Sequence, residues 1–261
     1  MTLRRLLIAL TLLCVAVLVV APMGVIVWQA FASGVGPWLE AVRRPDTLAA
    51  LGLTLLIVLI SVPLNTLFGL TTAYLVARYR FRGRQWILLL ADLPFSIPPI
   101  LTGLFFVLLL GPQGLLAGRF QILYTPWALV LTTLFVTLSF CLRTLLPLLQ
   151  NDAWEEEEAA AVLGAKPATV FWQVTLPRLR YGLGNGVLLL TARALGEYGA
   201  VSVVSGRIRG LTNSLPLQVE AYYFDQDGVA AFSAATVLVV LALVAQGGKA
   251  VLEHRARQER V

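Results

Sequence analysis

Arg193 and Glu197 stand four residues apart inside an apolar stretch, and few other residues of this chain could do chemistry. Spaced i and i+4, their side chains share one helix face. The chemistry on offer is anion binding: a guanidinium lining a path, with the carboxylate holding it in place. The same spacing suits a self-neutralising pair packed against a neighbouring helix. Nucleophilic and metal chemistry find no set of residues. The single histidine, His254, lies in a charged tail. Cys14 and Cys141 sit in apolar runs without partners at ligand spacing, so both read as small buried hydrophobes. Gly247-Gly248-Lys249 is a near miss for a phosphate-binding loop. The earlier glycine is missing at the required spacing and Ala250 replaces Ser or Thr, so the tripeptide reads as a helix end.

The elements that must position these residues are membrane helices. The chain has 261 residues, of which 58% are hydrophobic and 13% charged, where a soluble domain carries roughly 25% charge. Six apolar segments are legible: Leu6–Phe31, Leu48–Ala77, Trp86–Leu110, Pro126–Leu149, Leu183–Val204 and Val229–Val251. Each exceeds the roughly 20 residues needed to cross about 30 Å of hydrocarbon. Backbone groups in lipid must bond internally, which makes helices the expected form. The first segment is too long for a signal peptide and reads as a retained span. With the N-terminus in the cytoplasm, 14 Lys and Arg fall inside and five outside (Arg43, Arg44, Arg119, Arg207, Arg209), with Arg193 within a span. The positive-inside rule favours this topology. The net charge of +6 is thereby accounted for without nucleic acid. The expectation is one all-α integral membrane domain over 1–261, with six transmembrane helices and both termini cytoplasmic. At depth the available carboxylates are Asp92 and Glu197, with no histidine, which argues against a membrane-embedded enzyme.

The longest polar interruption runs from Asn151 to Pro177 and is expected to be cytoplasmic. Asp152 and Glu155 have capping-box spacing, and Glu155 to Glu158 lie where a helix dipole favours acids. Gly164 can take the left-handed conformation that stops a helix. Pro167 suits the start of a second one, whose Val170, Phe171 and Val174 form an apolar face and which Pro177 is expected to end. Two short helices meeting at a glycine hinge follow. Glu158-Ala159-Ala160, then Gly164, then Val174-Thr175-Leu176-Pro177 resembles the cytoplasmic loop signature of bacterial ABC importer permeases, with Val174 where isoleucine is usual. That resemblance implies the MetI-like permease fold. It also implies that Glu158, Ala159, Ala160, Gly164, Leu176 and Pro177 form a coupling helix seated on an ATP-binding subunit. ATP and Mg would then belong to that partner, with no cofactor in this chain.

The stretch from Arg193-Ala194-Leu195-Gly196-Glu197-Tyr198-Gly199 through Ser205-Gly206 to Arg209-Gly210 resembles sulfate/thiosulfate importer permeases, in particular the second of their two permease subunits. Asp92-Leu93-Pro94-Phe95 in the third segment supports this. Molybdate permeases share the shorter arginine–glycine–glutamate pattern. Pro94, Pro98 and Pro99 must disturb the third helix. A restart at Pro99 would aim the N–H groups of Ile100 to Gly103, Thr102 included, at mid-membrane, an anion-attracting arrangement; a plain packing kink is the alternative. Asp92 would cap this helix or pair with a loop arginine, and Pro63 with Asn65 marks a similar irregularity in the second span. Arg207 and Arg209 would guide an arriving dianion, contact its delivery protein, or simply be solvated. The resemblance implies sulfate or thiosulfate import across the bacterial plasma membrane. The implied assembly has a related, non-identical second permease, two ATP-binding subunits and an extracytoplasmic sulfate-binding protein. Molybdate or tungstate import by a homodimer and ion-coupled secondary transport are the competing readings.

Overall fold

The computed structural model describes residues 3–116, 121–151 and 155–258, the side chains of 151 and 253–258 excepted. Among the described residues every regular element is helical. In chain order they are α1 (Leu3–Phe31), α2 (Val35–Arg43), α3 (Pro45–Arg78), α4 (Arg84–Ser96), α5 (Pro99–Leu110), α6 (Pro126–Gln150), α7 (Glu155–Val162), α8 (Pro167–Val170), α9 (Leu176–Leu195), α10 (Val201–Val204), α11 (Leu215–Phe224) and α12 (Gly228–Gln258). Four of them are long and apolar enough to cross a membrane: α1, α3, α6 and the Gly228–Leu252 part of α12. The α4–α5 pair makes five if its two halves count as one span, but they are bent by 107° at Ile97–Pro98. At about 1.5 Å per residue neither half reaches 30 Å alone. Six spans were expected; the remaining one, around α9, is a continuous helix of 20 residues whose apolar character is interrupted by Arg178, Arg180 and Arg193. Its apolar segment does not run on to Val204, because the helix stops at Leu195.

Proline explains where the helices change course and where they do not. The run from Leu3 to Phe31 passes Pro22 by widening into a π-turn at Ala16–Val20, in which the Ala21 N–H reaches back to the Ala16 carbonyl. The wider turn relieves the clash that a proline ring makes with the preceding turn. Pro63 leaves α3 unbroken over 34 residues, contrary to the irregularity expected there. Asn65 beside it is buried and donates to the Leu134 carbonyl at 3.0 Å and to Thr137 Oγ1 at 2.8 Å.

The helices gather into two compact units. One is drawn from Met1–Thr54 and Arg207–Leu241. Its core joins Ala41, Ala50, Leu215, Tyr222, Ala230, Ala231 and Ala234. Buried hydroxyls pin its backbone: Thr54 Oγ1 accepts the Leu215 N–H at 2.8 Å, and Thr47 Oγ1 donates to the Ala41 carbonyl at 2.9 Å. Asp227 accepts the Ala230 N–H, capping α12, and pairs with Arg44 at 2.6 Å. The bond from Arg44, followed by the one from Ala230, holds the Asp227 carboxyl below its usual range. A depressed carboxylate stabilises the fold fully above about pH 4 and loses that contribution as pH falls through the depressed value. Asp227→Asn is therefore expected to lower the melting temperature of the detergent-solubilised protein at pH 7, and to narrow the gap from the parent as pH approaches 3. An equal gap at both pH values would remove the linkage. α1 buries almost nothing beyond Ala30, and its apolar side chains point outward on all sides, as in a lipid-surrounded span.

The other unit, from Leu55–Gly206 and Ala242–Val261, carries the residues of interest. Its core joins Ala73, Ala91, Cys141, Leu142, Leu145, Leu149 and Leu179. Small residues let the backbones close: a Cβ on Gly69 would stand 2.7 Å from Cys141 Cβ. Cys141 is buried as expected, whereas Cys14 is exposed on α1. Gly247-Gly248-Lys249 proves to be helix interior, not a helix end, with Gly248 set against Leu188.

Candidate functional site

The polar loop is built around Gly164. Its φ of +86° is the left-handed conformation anticipated there. The Gly164 N–H donates to the Ala161 carbonyl and the Ala165 N–H to the Ala160 carbonyl, both at 3.0 Å. This paired closure satisfies the last carbonyls of α7 and stops it. Lys166 is extended and Pro167 opens α8. Asp152, the proposed cap of α7, lies outside the described residues. Beyond α8 the expectation fails in one respect: Pro177 does not end the helix. The backbone widens into a π-turn at Phe171–Thr175, with the Leu176 N–H bonded to the Phe171 carbonyl, and then runs on as α9. The device is the one seen before Pro22. Helical backbone thus continues from Pro167 to Leu195, and Leu176 and Pro177 lie within it.

The four glutamates are not equivalent. Glu158 and Ala159 are exposed and Ala160 half-buried. Glu157 turns inward. It pairs with Arg78 at the end of α3 and accepts a bond from Thr175 Oγ1 at 2.9 Å. The side chains of this pair are only 6% (Arg78) and 15% (Glu157) exposed, against 34% and 65% for Arg178 and Glu156, which meet at 3.2 Å. Phe171, on the expected apolar face with buried Val170, packs edge-on to Tyr74 at 5.2 Å. Glu157 and Arg78 were not singled out from sequence, since one is among four identical neighbours and the other lies 79 positions away. Val162 and Leu163 at the tip are each 87% exposed, an apolar knob with no cover.

At the other end of α9, Arg193 Nη1 meets Glu197 Oε2 at 2.5 Å, as the i, i+4 spacing anticipated. Glu197 lies beyond the helix end, its side chain 1% exposed, while that of Arg193 is 31% exposed. The other carboxylate oxygen accepts the Ala200 N–H at 3.1 Å. Glu197 thus ties the end of α9 to the start of α10, and Arg193 keeps an open side. The proline-rich break comes to the same place. A Cβ on Gly103 would stand 2.6 Å from the Ala200 carbonyl oxygen, and one on Gly199 would stand 2.9 Å from Pro99 Cβ. Pro98 caps α5 in an extended conformation, and the restart at Pro99 is as expected. The row of free N–H groups is shorter than expected, because the Thr102 N–H already donates to the Pro98 carbonyl at 3.2 Å. Ile100 is exposed, whereas Thr102 and Gly103 are buried. Asp92 pairs with Arg143, which lies on α6 and not in a loop. Arg207 meets Glu220 at 3.2 Å and Arg209 meets Asp225 at 2.6 Å, so neither is a bare charge. Among the described residues no group of three or more His, Cys, Asp or Glu could hold a metal.

The arrangement offers an exposed knob on an acidic helix, a continuous helical rod and a paired guanidinium at the far end. The chain is 46% identical over 257 residues to "Sulfate transport system permease protein CysW" of Synechocystis sp., covering 97% of this chain and 93% of that one. It is 43% identical over 258 residues to the protein of the same name from Escherichia coli K12, covering 97% and 89%. A crystal structure of a bacterial ABC transporter for the acidic polysaccharide alginate matches with a TM-score of 0.79 at 15% identity, over 98% of this chain and 95% of that one, which shows the fold. The family model described as "Binding-protein-dependent transport system inner membrane component" matches residues 65–258, and the chain belongs to that family.

Proposed function

We propose that this chain is the permease subunit of an ATP-driven importer that moves sulfate or thiosulfate across the bacterial plasma membrane by alternating access. The relatives named as sulfate permeases support the substrate. The observation that carries the mechanism is the unbroken helical backbone from Pro167 to Leu195, with the exposed loop at one end and Arg193 at the other. The Glu158–Pro177 loop faces the cytoplasm, as the distribution of Lys and Arg favours. It seats the Val162–Leu163 knob in a cleft of an ATP-binding subunit. ATP and Mg bind to that partner, and this chain does no covalent chemistry. Closure of two such ATPases draws the loops together, and the rod transmits the movement to the Arg193–Glu197 junction. A related, non-identical permease completes the route, and an extracytoplasmic binding protein delivers the anion. Arg193, Pro98, Pro99 and Ile100 line the path, and buried Glu197, Thr102 and Gly103 support it from behind. Arg207 and Arg209, already neutralised by their acids, serve the outer face as docking contacts more readily than as a lure for a dianion.

The test is labelled sulfate uptake into proteoliposomes holding the complete assembly, with the binding protein outside and ATP reaching the ATPases. Uptake that requires ATP and yields to excess thiosulfate supports the reading. Uptake by this chain without ATPases would make it a secondary transporter, and molybdate as the better competitor would change the substrate. Arg193→Ala is expected to cut uptake about tenfold or more, the scale of a lost charge-assisted contact. The removal also leaves Glu197 buried without its cation, so the stability of the variant is expected to fall. Adding Glu197→Gln should restore melting temperature and leave uptake low. Recovery of uptake in the double variant would reduce the pair to a structural one.

A further inference from the structure

α6 carries a second guanidinium within a span. Arg143 lies seven residues before Gln150, about 10 Å in from the helix end. An arginine at that depth usually snorkels to the interface. This one is held down. Its Nε donates to Asp92 Oδ1 at 2.9 Å. Its Cζ lies 4.0 Å from the centre of the Phe95 ring, and Phe95 is braced edge-on by Phe140 at 6.0 Å. One edge and one face of the guanidinium are thus occupied. The terminal Nη1 and Nη2 have no protein acceptor among the described residues. Both side chains of the pair are 44% exposed. A half-exposed ion pair on a span is costly in lipid and belongs where water or another polar group reaches it.

Its position relative to Arg193 follows from helix packing. α6 and α9 run antiparallel: Gly182 lies against Leu148 and Gly186 against Cys141 and Thr144. By that register Arg193 is level with residue 137, so Arg143 stands about 9 Å further toward the Asn151–Pro177 loop. Phe140 packs between them, against the Val62, Leu190 and Ala194 cluster.

We propose that Arg143 is a second oxyanion-binding position on the transport route, one step beyond Arg193 toward the loop. The proposal rests on the importer reading above. Its open fork presents two parallel N–H donors to a tetrahedral dianion, the geometry in which a guanidinium recognises sulfate or phosphate oxygens. Asp92 fixes the plane of the fork and offsets its charge. Arg193 is likewise offset by an acid, Glu197, though through its Nη1. Two neutralised guanidiniums in sequence hold an anion by hydrogen bonds while leaving it free to depart, as multi-site conduction requires.

The experiment uses the complete assembly in proteoliposomes. Arg143→Gln is expected to lower labelled sulfate uptake about tenfold, and Arg143→Lys to recover part of it, because Lys keeps the charge without the fork. With Arg143 intact, Leu146→Cys places a thiol one turn away on the same face. A negatively charged sulfonate thiol reagent is expected to modify it faster than the parent cysteines, and millimolar sulfate to slow that reaction. Uptake by Arg143→Gln within about twofold of the parent would overturn the proposal, since a lost charge-assisted bond costs more. So would a Leu146→Cys thiol that does not react, or one that reacts equally with and without sulfate. Failure of the parent assembly to transport sulfate would strike the importer reading instead, so the two are told apart.

Discussion

Replacing Arg78 with Ala is expected to detach the ATPase partner and abolish sulfate uptake, although Arg78 touches neither ATP nor the anion. Its guanidinium and the Glu157 carboxylate are nearly buried together, where the end of α3 meets the loop. Removing one member of such a pair leaves the other charge desolvated, at a cost of about 3–5 kcal/mol. Glu157 would keep only the bond from Thr175 Oγ1, and α7 would lose its anchor to the end of α3. The neighbouring Glu156–Arg178 pair is the internal control. It is far more exposed, and exposed pairs contribute about 0–1 kcal/mol. Glu156→Ala should therefore copurify with the ATPase and transport near the parent level. Arg78→Ala should still insert in the membrane while copurification and uptake fall together, and Arg78→Glu with Glu157→Arg should recover part of both. An Arg78→Ala assembly that keeps its ATPase and its uptake would remove the pair from coupling.

The contrast between these two pairs shows what a sequence carries and what it leaves to the fold. Short-range rules were enough for the glycine stop at Gly164, the proline start at Pro167 and the i, i+4 meeting of Arg193 and Glu197. Each depends on a few consecutive residues and on backbone preferences. Which of four glutamates turns inward depends instead on where α3 ends, and no local pattern encodes that. Pro177 misled for a related reason. Proline ends helices by default, but a π-turn ending two residues earlier supplies the missing space, and nothing in Phe171–Thr175 announces it. The bend at Ile97–Pro98 was legible as a disturbance, whereas its 107° was not. That angle turns on the fit of α5 against the Ala200–Val203 segment, which Gly103 and Gly199 permit. Arg143 was hidden in the same way. In sequence it counts as one more charge near a span end, and only packing reveals Asp92 and Phe95 holding it at depth.

Gly164→Pro should have the second large effect, and the structure says why proline is worse there than any other residue. Proline fixes φ near −65°, while this position sits at +86°. It also deletes the N–H that donates to the Ala161 carbonyl. The paired closure of α7 is then lost, and the direction in which Val162 and Leu163 project is lost with it. Those side chains are the exposed apolar tip of the loop, so a redirected tip no longer meets its cleft. Crowding is not the cause, because a Cβ at Gly164 would find nothing within 4 Å. Gly164→Ala thus isolates the backbone term, about 1–2 kcal/mol for an L-residue in left-handed helical geometry. Asn tolerates that geometry better. The expected order of uptake is Gly, then Asn, then Ala, with Pro at background, while all four chains insert in the membrane alike. If Ala fell as low as Pro, crowding at a docked partner would replace backbone direction as the explanation. If Pro transported normally, the loop would not be the lever.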